Sequence, residues 1–360
     1  MKQWLRKRYL LMAAGTAALC GVVLSGCSLG YYSQAIGGHL RLMSAREPIA
    51  DVLASEDTDA ETKEKLQTLI EARQFAIDEL GLPENDSYST YAATGRDAVT
   101  WNVVAVPEFS MSPRLWCFPV AGCVSYRGYF DKARADSYAA DLENDGFDVT
   151  VGGASAYSTL GWFDDPVLDT MLRGGDIRFV ATLFHELAHQ VLYIQDDSSF
   201  NEAFATFVEQ EGFRIWLRSR DEESRIEAYD TILQRSSDFS ELLNATRGEL
   251  DKVFAEEGLE EAERRTKKEQ VFADMQTNYA ALKTSWNEYA GYDRWFSRDL
   301  NNAHLLGVST YRRLVPAFSA MYKEAGSDLP TFYTLATEIS KLPTEERNER
   351  MANYGLQALN

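Results

Sequence analysis

The residues with the most chemistry to offer are His185-Glu186-Leu187-Ala188-His189. Two imidazoles four positions apart share one side of a helix, one turn from each other, so their ring nitrogens can converge on one metal ion. Glu186, next to the first of them, carries a carboxylate that can reach a water on that ion without itself being a ligand. The chain has 4 histidines, the other two being His39 and His304. Pairing half of them by accident on an apolar helix is improbable. A catalytic zinc needs a third protein ligand and one open position. Glu202, in Phe200-Asn201-Glu202-Ala203, is the first choice for that ligand. Glu209, two turns further along the same helix face, competes with it, and His304 is a further alternative. Whichever glutamate is spare would support a ligand from behind or stay in solvent.

Positioning these side chains requires two helices. From Asp176 the apolar positions Ile177, Phe179, Val180, Leu183, Phe184, Leu187, Val191 and Ile194 recur at helical spacing, and Asp176 follows Gly174-Gly175 as a candidate N-cap. Asp196-Asp197-Ser198-Ser199 breaks that helix. Ser198 or Ser199 then caps a second helix, Asn201 to Glu211, which Gly212 ends. Upstream, Tyr31 to Leu42 reads as a tether that becomes a helix, and Ala60 to Leu80 as an amphipathic helix stopped by Gly81 and Pro83. Tyr88 to Val106, Gly122 to Phe130 and Asp148 to Leu160 are rich in Val, Tyr, Thr and Trp and predict a small mixed sheet. Beyond Ile215 the pattern is helical, and the charged run Glu249 to Gln270 reads as a solvated helix face. The expected fold class is α+β. A tether and helices span 27–85, a catalytic core spans 86–214, and a C-terminal helical subdomain over 215–360 walls the cleft.

The 360 residues carry 36 Lys+Arg against 55 Asp+Glu, a formal charge of −19, which argues against nucleic acid as a partner. Residues 1–26 must be set apart. Lys2, Arg6, Lys7 and Arg8 precede an apolar run from Leu10 to Leu24, closed by Leu24-Ser25-Gly26-Cys27. This resembles the lipobox of bacterial lipoproteins, in which Cys27 becomes the lipidated first residue. The apolar run is shorter than the ~20 residues of a membrane-spanning helix. Loss of the four basic residues leaves 32 basic against 55 acidic groups, a charge of −23. Ser28 rather than Asp follows the cysteine, so by resemblance to sorted lipoproteins the protein is expected in the cell envelope, on the outer membrane facing the periplasm where the cell has two membranes. Cys20 leaves with the signal. Cys117 and Cys123 remain, with Pro119 and Gly122 between them to turn the chain, and an oxidising compartment favours a disulfide.

A wider resemblance covers nearly the whole mature chain. The strings Ser87-Tyr88, Trp101-Asn102-Val103, Pro107-Glu108-Phe109-Ser110, Trp116-Cys117-Phe118-Pro119, Tyr126-Arg127-Gly128-Tyr129-Phe130, Ala156-Tyr157-Ser158-Thr159-Leu160-Gly161-Trp162-Phe163, Phe200-Asn201-Glu202 and Asn301-Asn302-Ala303, with the His-Glu helix, resemble the bacterial family of predicted aminopeptidases. That family is lipoprotein-like with an HExxH core, and the Asn-Glu string resembles that of zincins whose third ligand is a glutamate. The resemblance implies a metallopeptidase with a zincin-like core, one Zn2+ per chain, a peptide substrate and a membrane partner reached through the lipid on Cys27.

In such a site Glu186 would take a proton from the ion's water and deliver it to the leaving amine. Tyr157 is the first candidate donor to the oxyanion, ahead of Tyr126 and His304. Its strand-like segment leads through Gly161 and Asp164-Asp165-Pro166 toward the metal helix and could pair with substrate backbone. Glu209, Asp164 and Asp165 could hold an α-ammonium, but a chain acidic throughout does not separate cutting at an end from cutting within. Two other readings stay open: a zinc amidohydrolase acting on cell-wall peptide, and a non-enzymatic envelope lipoprotein with a structural metal. Glu186 argues against the second, since a structural zinc uses four ligands and no base.

Overall fold

Helices make up most of the chain, and three small β units are set among them. The computed structural model describes residues 30–118, 122–157, 159, 163–309 and 314–357. The signal segment, Cys27, Pro119 and the Leu160-Gly161-Trp162 stretch lie outside the described residues. The order is α1 (30–44), β1 (Glu47–Pro48), α2 (Ile49–Ala54), α3 (Ala60–Asp78), β2 (Thr90–Ala92), β3 (Thr100–Pro107), β4 (Trp116–Phe118), β5 (Gly122–Val124), β6 (Arg127–Tyr129), α4 (Lys132–Asn144), β7 (Phe147–Ala154) and β8 (Val167–Leu168). Then follow α5 (Asp176–Val191), α6 (Ser198–Ser219), α7 (Ile226–Ala255), α8 (Glu261–Ser285), α9 (Asp293–Phe296), α10 (Asn302–Ser309), α11 (Val315–Glu324), α12 (Leu329–Ser340) and α13 (Thr344–Gln357). The mixed composition is that of an α+β protein. No helix among the described residues is long and apolar enough to cross a membrane.

The largest core forms around α5 and α6. Leu66, Leu69, Ala72 and Ala76 of α3 meet Phe179, Leu183, Phe184 and Leu187 of α5, and the aromatic face of α6 (Phe200, Phe204, Phe207) meets Phe318 of α11 and Phe332 of α12. Phe204 stacks on Phe332 with centroids 5.7 Å apart and planes at 9°. Each such ring or leucine contributes about 1.5–3 kcal/mol on full burial. Segments from near both ends of the chain thus hold the two helices that carry the His-Glu chemistry.

Strand β3 organises the rest. It pairs antiparallel with β6 and, over its full length from Thr100↔Ala154 to Pro107↔Phe147, with β7. Alternation along the strand sends Val103 and Ala105 toward Ala135, Ala139 and Leu142 of α4. Val104 and Val106 face Leu243, Leu250, Met275 and Leu305 of α7, α8 and α10 on the other side. In a second sheet β2 pairs antiparallel with β1 and parallel with β8. The third unit is the hairpin β4–β5, with Cys117 opposite Cys123 and a disulfide joining them.

Several local expectations change. Asp176 is the first helical residue of α5, and Gly175, at φ +86°, is the N-cap. Helix α6 starts at Ser198 under Asp197 and runs to Ser219. Gly212 therefore lies inside α6, where its missing side chain admits Leu80: a Cβ there would sit 2.9 Å from Leu80 Cδ1. The strand expected to reach Leu160 ends at Ala154, which leaves Tyr157 beyond it. The charged run Glu249 to Gln270 is divided by a turn at Gly258, φ +80°. Its pairs Lys252–Glu249 and Lys267–Glu256 are exposed, whereas Lys268 reaches inward to Asp148 on β7, 2.6 Å away.

Neighbouring glycines of α1 make a test of this packing. A Cβ on Gly38 would fall 2.2 Å from the Phe130 ring, whereas one on Gly37 meets only Arg41 Nη1 at 3.5 Å. Gly38→Ala is expected to cost about 1–3 kcal/mol through overpacking. Gly37→Ala should gain up to about 1 kcal/mol from helix propensity. Opposite shifts of the urea midpoint, measured side by side, would bear this out.

Candidate metal centre

Helices α5 and α6 are joined by a six-residue link whose geometry is fixed at both ends. Asn201, buried in the first turn of α6, accepts the Ile194 N–H on Oδ1 at 2.8 Å and donates Nδ2 to the Ile194 carbonyl at 2.7 Å. Its amide thus replaces a strand partner for that one residue. Asp197 caps α6 by accepting the Phe200 N–H at 3.1 Å. Its other oxygen accepts from Nε and Nη2 of Arg347 on α13 at 3.0 and 2.7 Å. Arg347 is buried, and it also donates to the Leu342 carbonyl at 2.8 Å. At the end of α5, Gln190 accepts from Asn85 Nδ2 at 2.6 Å and donates to Ser87 Oγ at 3.3 Å, which docks the segment before β2.

This frame brings His185, His189 and Glu202 together. Their three ligand atoms lie within 4.8 Å of one another, and the group could hold a metal ion. The two Nε2 atoms are 3.2 Å apart, with the rings nearly perpendicular at 83°. Glu202 lies 3.4 Å from His185 Nε2 and 3.6 Å from His189 Nε2. A tetrahedral ion with bonds of about 2.1 Å has ligand–ligand edges of roughly 3.4 Å, so the separations suit such an ion. Two imidazole nitrogens and a carboxylate oxygen are also the donor types that zinc takes.

Glu209 takes the other edge of His185. Seven residues after Glu202 on α6, it lies on the same helix face, and its Oε2 is 3.0 Å from His185 Nδ1. A carboxylate there holds the ring's Nδ1–H and leaves Nε2 free to bind an ion. Burial opposes charge on His185, but its hydrogen bonds to Glu202 and Glu209 win, and its pKa is raised well above the ordinary histidine value. Burial, and then the charge of His185, push His189 down to about 4 against the opposing pull of Glu202. Burial would raise Glu202, yet the His185 hydrogen bond and the two imidazoles bring it below its ordinary value. His189 Nδ1 is buried without a hydrogen-bond partner.

Glu186 follows His185 on α5, half-buried, and its charge is felt by the His185 ring. Tyr157 does not meet the triad in any described contact: its hydroxyl lies 3.2 Å from His39 Nδ1 and its ring packs on Phe130. Burial pushes that phenol up to about 12. Tyr126 is exposed, and His304 Nδ1 is held by Asn301, 2.8 Å from its Oδ1. Of the acids considered for an ammonium, Glu209 is engaged by His185, and Asp165 is fully buried, accepting the Thr159 N–H at 2.8 Å.

Tyr193, which sequence reasoning passed over, lies in the link just beyond α5. It is exposed, and after the burial of part of its ring the charges of Glu202 and Asp196 raise its pKa. Its place four residues past His189 was the available signal. Asp196, at φ +64°, also accepts the Cys123 N–H at 3.2 Å. Gly122 approaches so closely that a Cβ would sit 2.3 Å from that oxygen, so the disulfide hairpin rests on the link between the metal-site helices.

Removing Glu209 should loosen the ion without removing a ligand. Glu209→Ala is expected to weaken Zn2+ binding about 10–100-fold in a chelator competition, and Glu202→Ala to weaken it more. Equal losses, or none at Glu209, would contradict the assignment.

No curated protein and no solved structure matches the chain. The sequence model of the family described as "Putative aminopeptidase" matches residues 30–351, from α1 into α13, and the protein belongs to that family.

Proposed function

We propose that the protein is a zinc-dependent aminopeptidase with a zincin-like core, held in the cell envelope by a lipid on Cys27. On this reading it sits on the outer membrane, facing the periplasm, where the cell has two membranes. The observation that carries the enzymatic part is the convergence of His185, His189 and Glu202, with Glu186 adjacent, in a chain of an aminopeptidase family. His185, His189 and Glu202 would hold the ion. When bound, the ion supplies Lewis acidity, acidifying a water and polarising the scissile carbonyl.

The remaining steps belong to side chains of this chain. Glu186 accepts the water's proton on its carboxylate and passes it to the nitrogen of the leaving amine. Glu209 keeps the His185 tautomer with its proton on Nδ1. For the oxyanion donor, Tyr193, exposed in the link four residues past His189, is favoured over Tyr157, whose hydroxyl is engaged by His39. The disulfide hairpin rests on Asp196 in the link between α5 and α6, and an extended peptide would run along that link.

Three measurements test this reading. Glu186→Gln should keep the ion, read by metal analysis, and lose at least about 100-fold in turnover of aminoacyl anilides. Tyr193→Phe should lower kcat about 10–100-fold with KM little changed, and Tyr157→Phe should leave kcat within about twofold. Chelation should abolish turnover and Zn2+ restore it. Failure of the zinc-loaded protein to cleave any peptide with a free N-terminus would remove the peptidase assignment. Equal cleavage of N-acetylated peptides would remove its exopeptidase part.

A further inference from the structure

Helix α1 has two faces of opposite use. Gln34, Gly38 and Leu42, at i, i+4 and i+8, point into the body. Gln34 accepts the Phe130 N–H at 3.1 Å and donates to the Gly128 carbonyl at 3.4 Å, Gly38 abuts the Phe130 ring, and Leu42 joins the main core. Two positions out of step, about 200° around the helix, lie Tyr32, Ile36 and Leu40. They are 38%, 59% and 60% exposed, and Leu40 is the most exposed large apolar side chain among the described residues. In a chain with 55 acidic residues, positions 28–46 contain none, while Arg41 and Arg46 are both there. An apolar stripe without acids is compatible with a phospholipid headgroup layer.

The chain before this helix says what covers the stripe. Cys27 precedes Gly30 by three residues, a span of at most about 11 Å when extended. Acyl chains on Cys27 would therefore bring α1 to the bilayer surface, where a second binding element adds to a lipid anchor. We propose that the outer face of α1, formed by Tyr32, Ile36 and Leu40, docks into the headgroup layer of the leaflet that holds the Cys27 lipid, and so sets the orientation of the body on the membrane. The proposal rests on the envelope-lipoprotein reading for the nearness of the bilayer; it does not depend on the catalytic chemistry.

The test uses the full chain, purified from membranes and reconstituted in phosphatidylethanolamine/phosphatidylglycerol vesicles carrying a photoactivatable phospholipid. Peptide mass analysis then reads lipid adducts along the chain and, separately, the acylation of Cys27. Labelling should concentrate on residues 30–44. In the variant Tyr32→Ser/Ile36→Ser/Leu40→Ser it should fall at least about tenfold while the protein stays with the vesicles, with thermal unfolding and metal content unchanged. Labelling of 30–44 no greater than that of the exposed α7–α8 pair, or unchanged by the triple substitution, overturns the proposal. So does a dimer that forms without vesicles and is lost in the variant, since the stripe would then face a second copy. A Cys27 without lipid would remove the anchor reading alone, because adducts on 30–44 still decide whether the stripe meets the bilayer.

Discussion

The arrangement of the site depends on one imidazole held along both edges. His185 presents Nδ1 to Glu209 and Nε2 toward Glu202, and both carboxylates come from α6, two helical turns apart. A ring gripped in this way fixes how α5 lies against α6 along their length. Slippage by even one residue would rotate the glutamates by about 100° and take both carboxylates away from the imidazole. The Asn201 clamp on Ile194, the Phe204–Phe332 stack and the close approach of Leu80 to Gly212 all act on that same alignment.

Burial and charge divide the two histidines. His189, deep in the helix pair, is driven toward the neutral form, which is the form that binds a cation. His185 keeps its proton because two carboxylates reward it for doing so. A cation held by His185, His189 and Glu202 would meet the Glu202 carboxylate directly, with Glu209 left on the far edge of the His185 ring.

Much of this was legible in the sequence, and the illegible parts share a physical reason. The His185/His189 spacing, the Asn201-Glu202 string and the Cys117/Cys123 pair are local patterns, and each marks a place where the structure brings those residues into play. The α+β composition followed from the change in periodicity after Asp176. Glu209 was visible as a candidate, but only the packing of α6 on α5 shows which ring nitrogen it reaches. Arg347 left no signal, since its partner Asp197 is 150 residues away and neither neighbourhood is unusual. Helix α4 went unread because its buried stripe is only Ala135, Ala139 and Leu142 among polar residues, too small to stand out from its charges. Gly212 misled because a glycine that admits a neighbouring helix looks, in one dimension, the same as one that ends its own.

The Arg347–Asp197 pair makes the two site helices depend on a distant part of the chain. The cap of the helix bearing Glu202 and Glu209 is completed by a guanidinium from α13, so without that helix the capping carboxylate loses its counter-charge. Registration of the candidate metal pocket is thereby tied to a segment that contributes no group to it, and a change confined to α13 would be felt at His185 with every site residue in place.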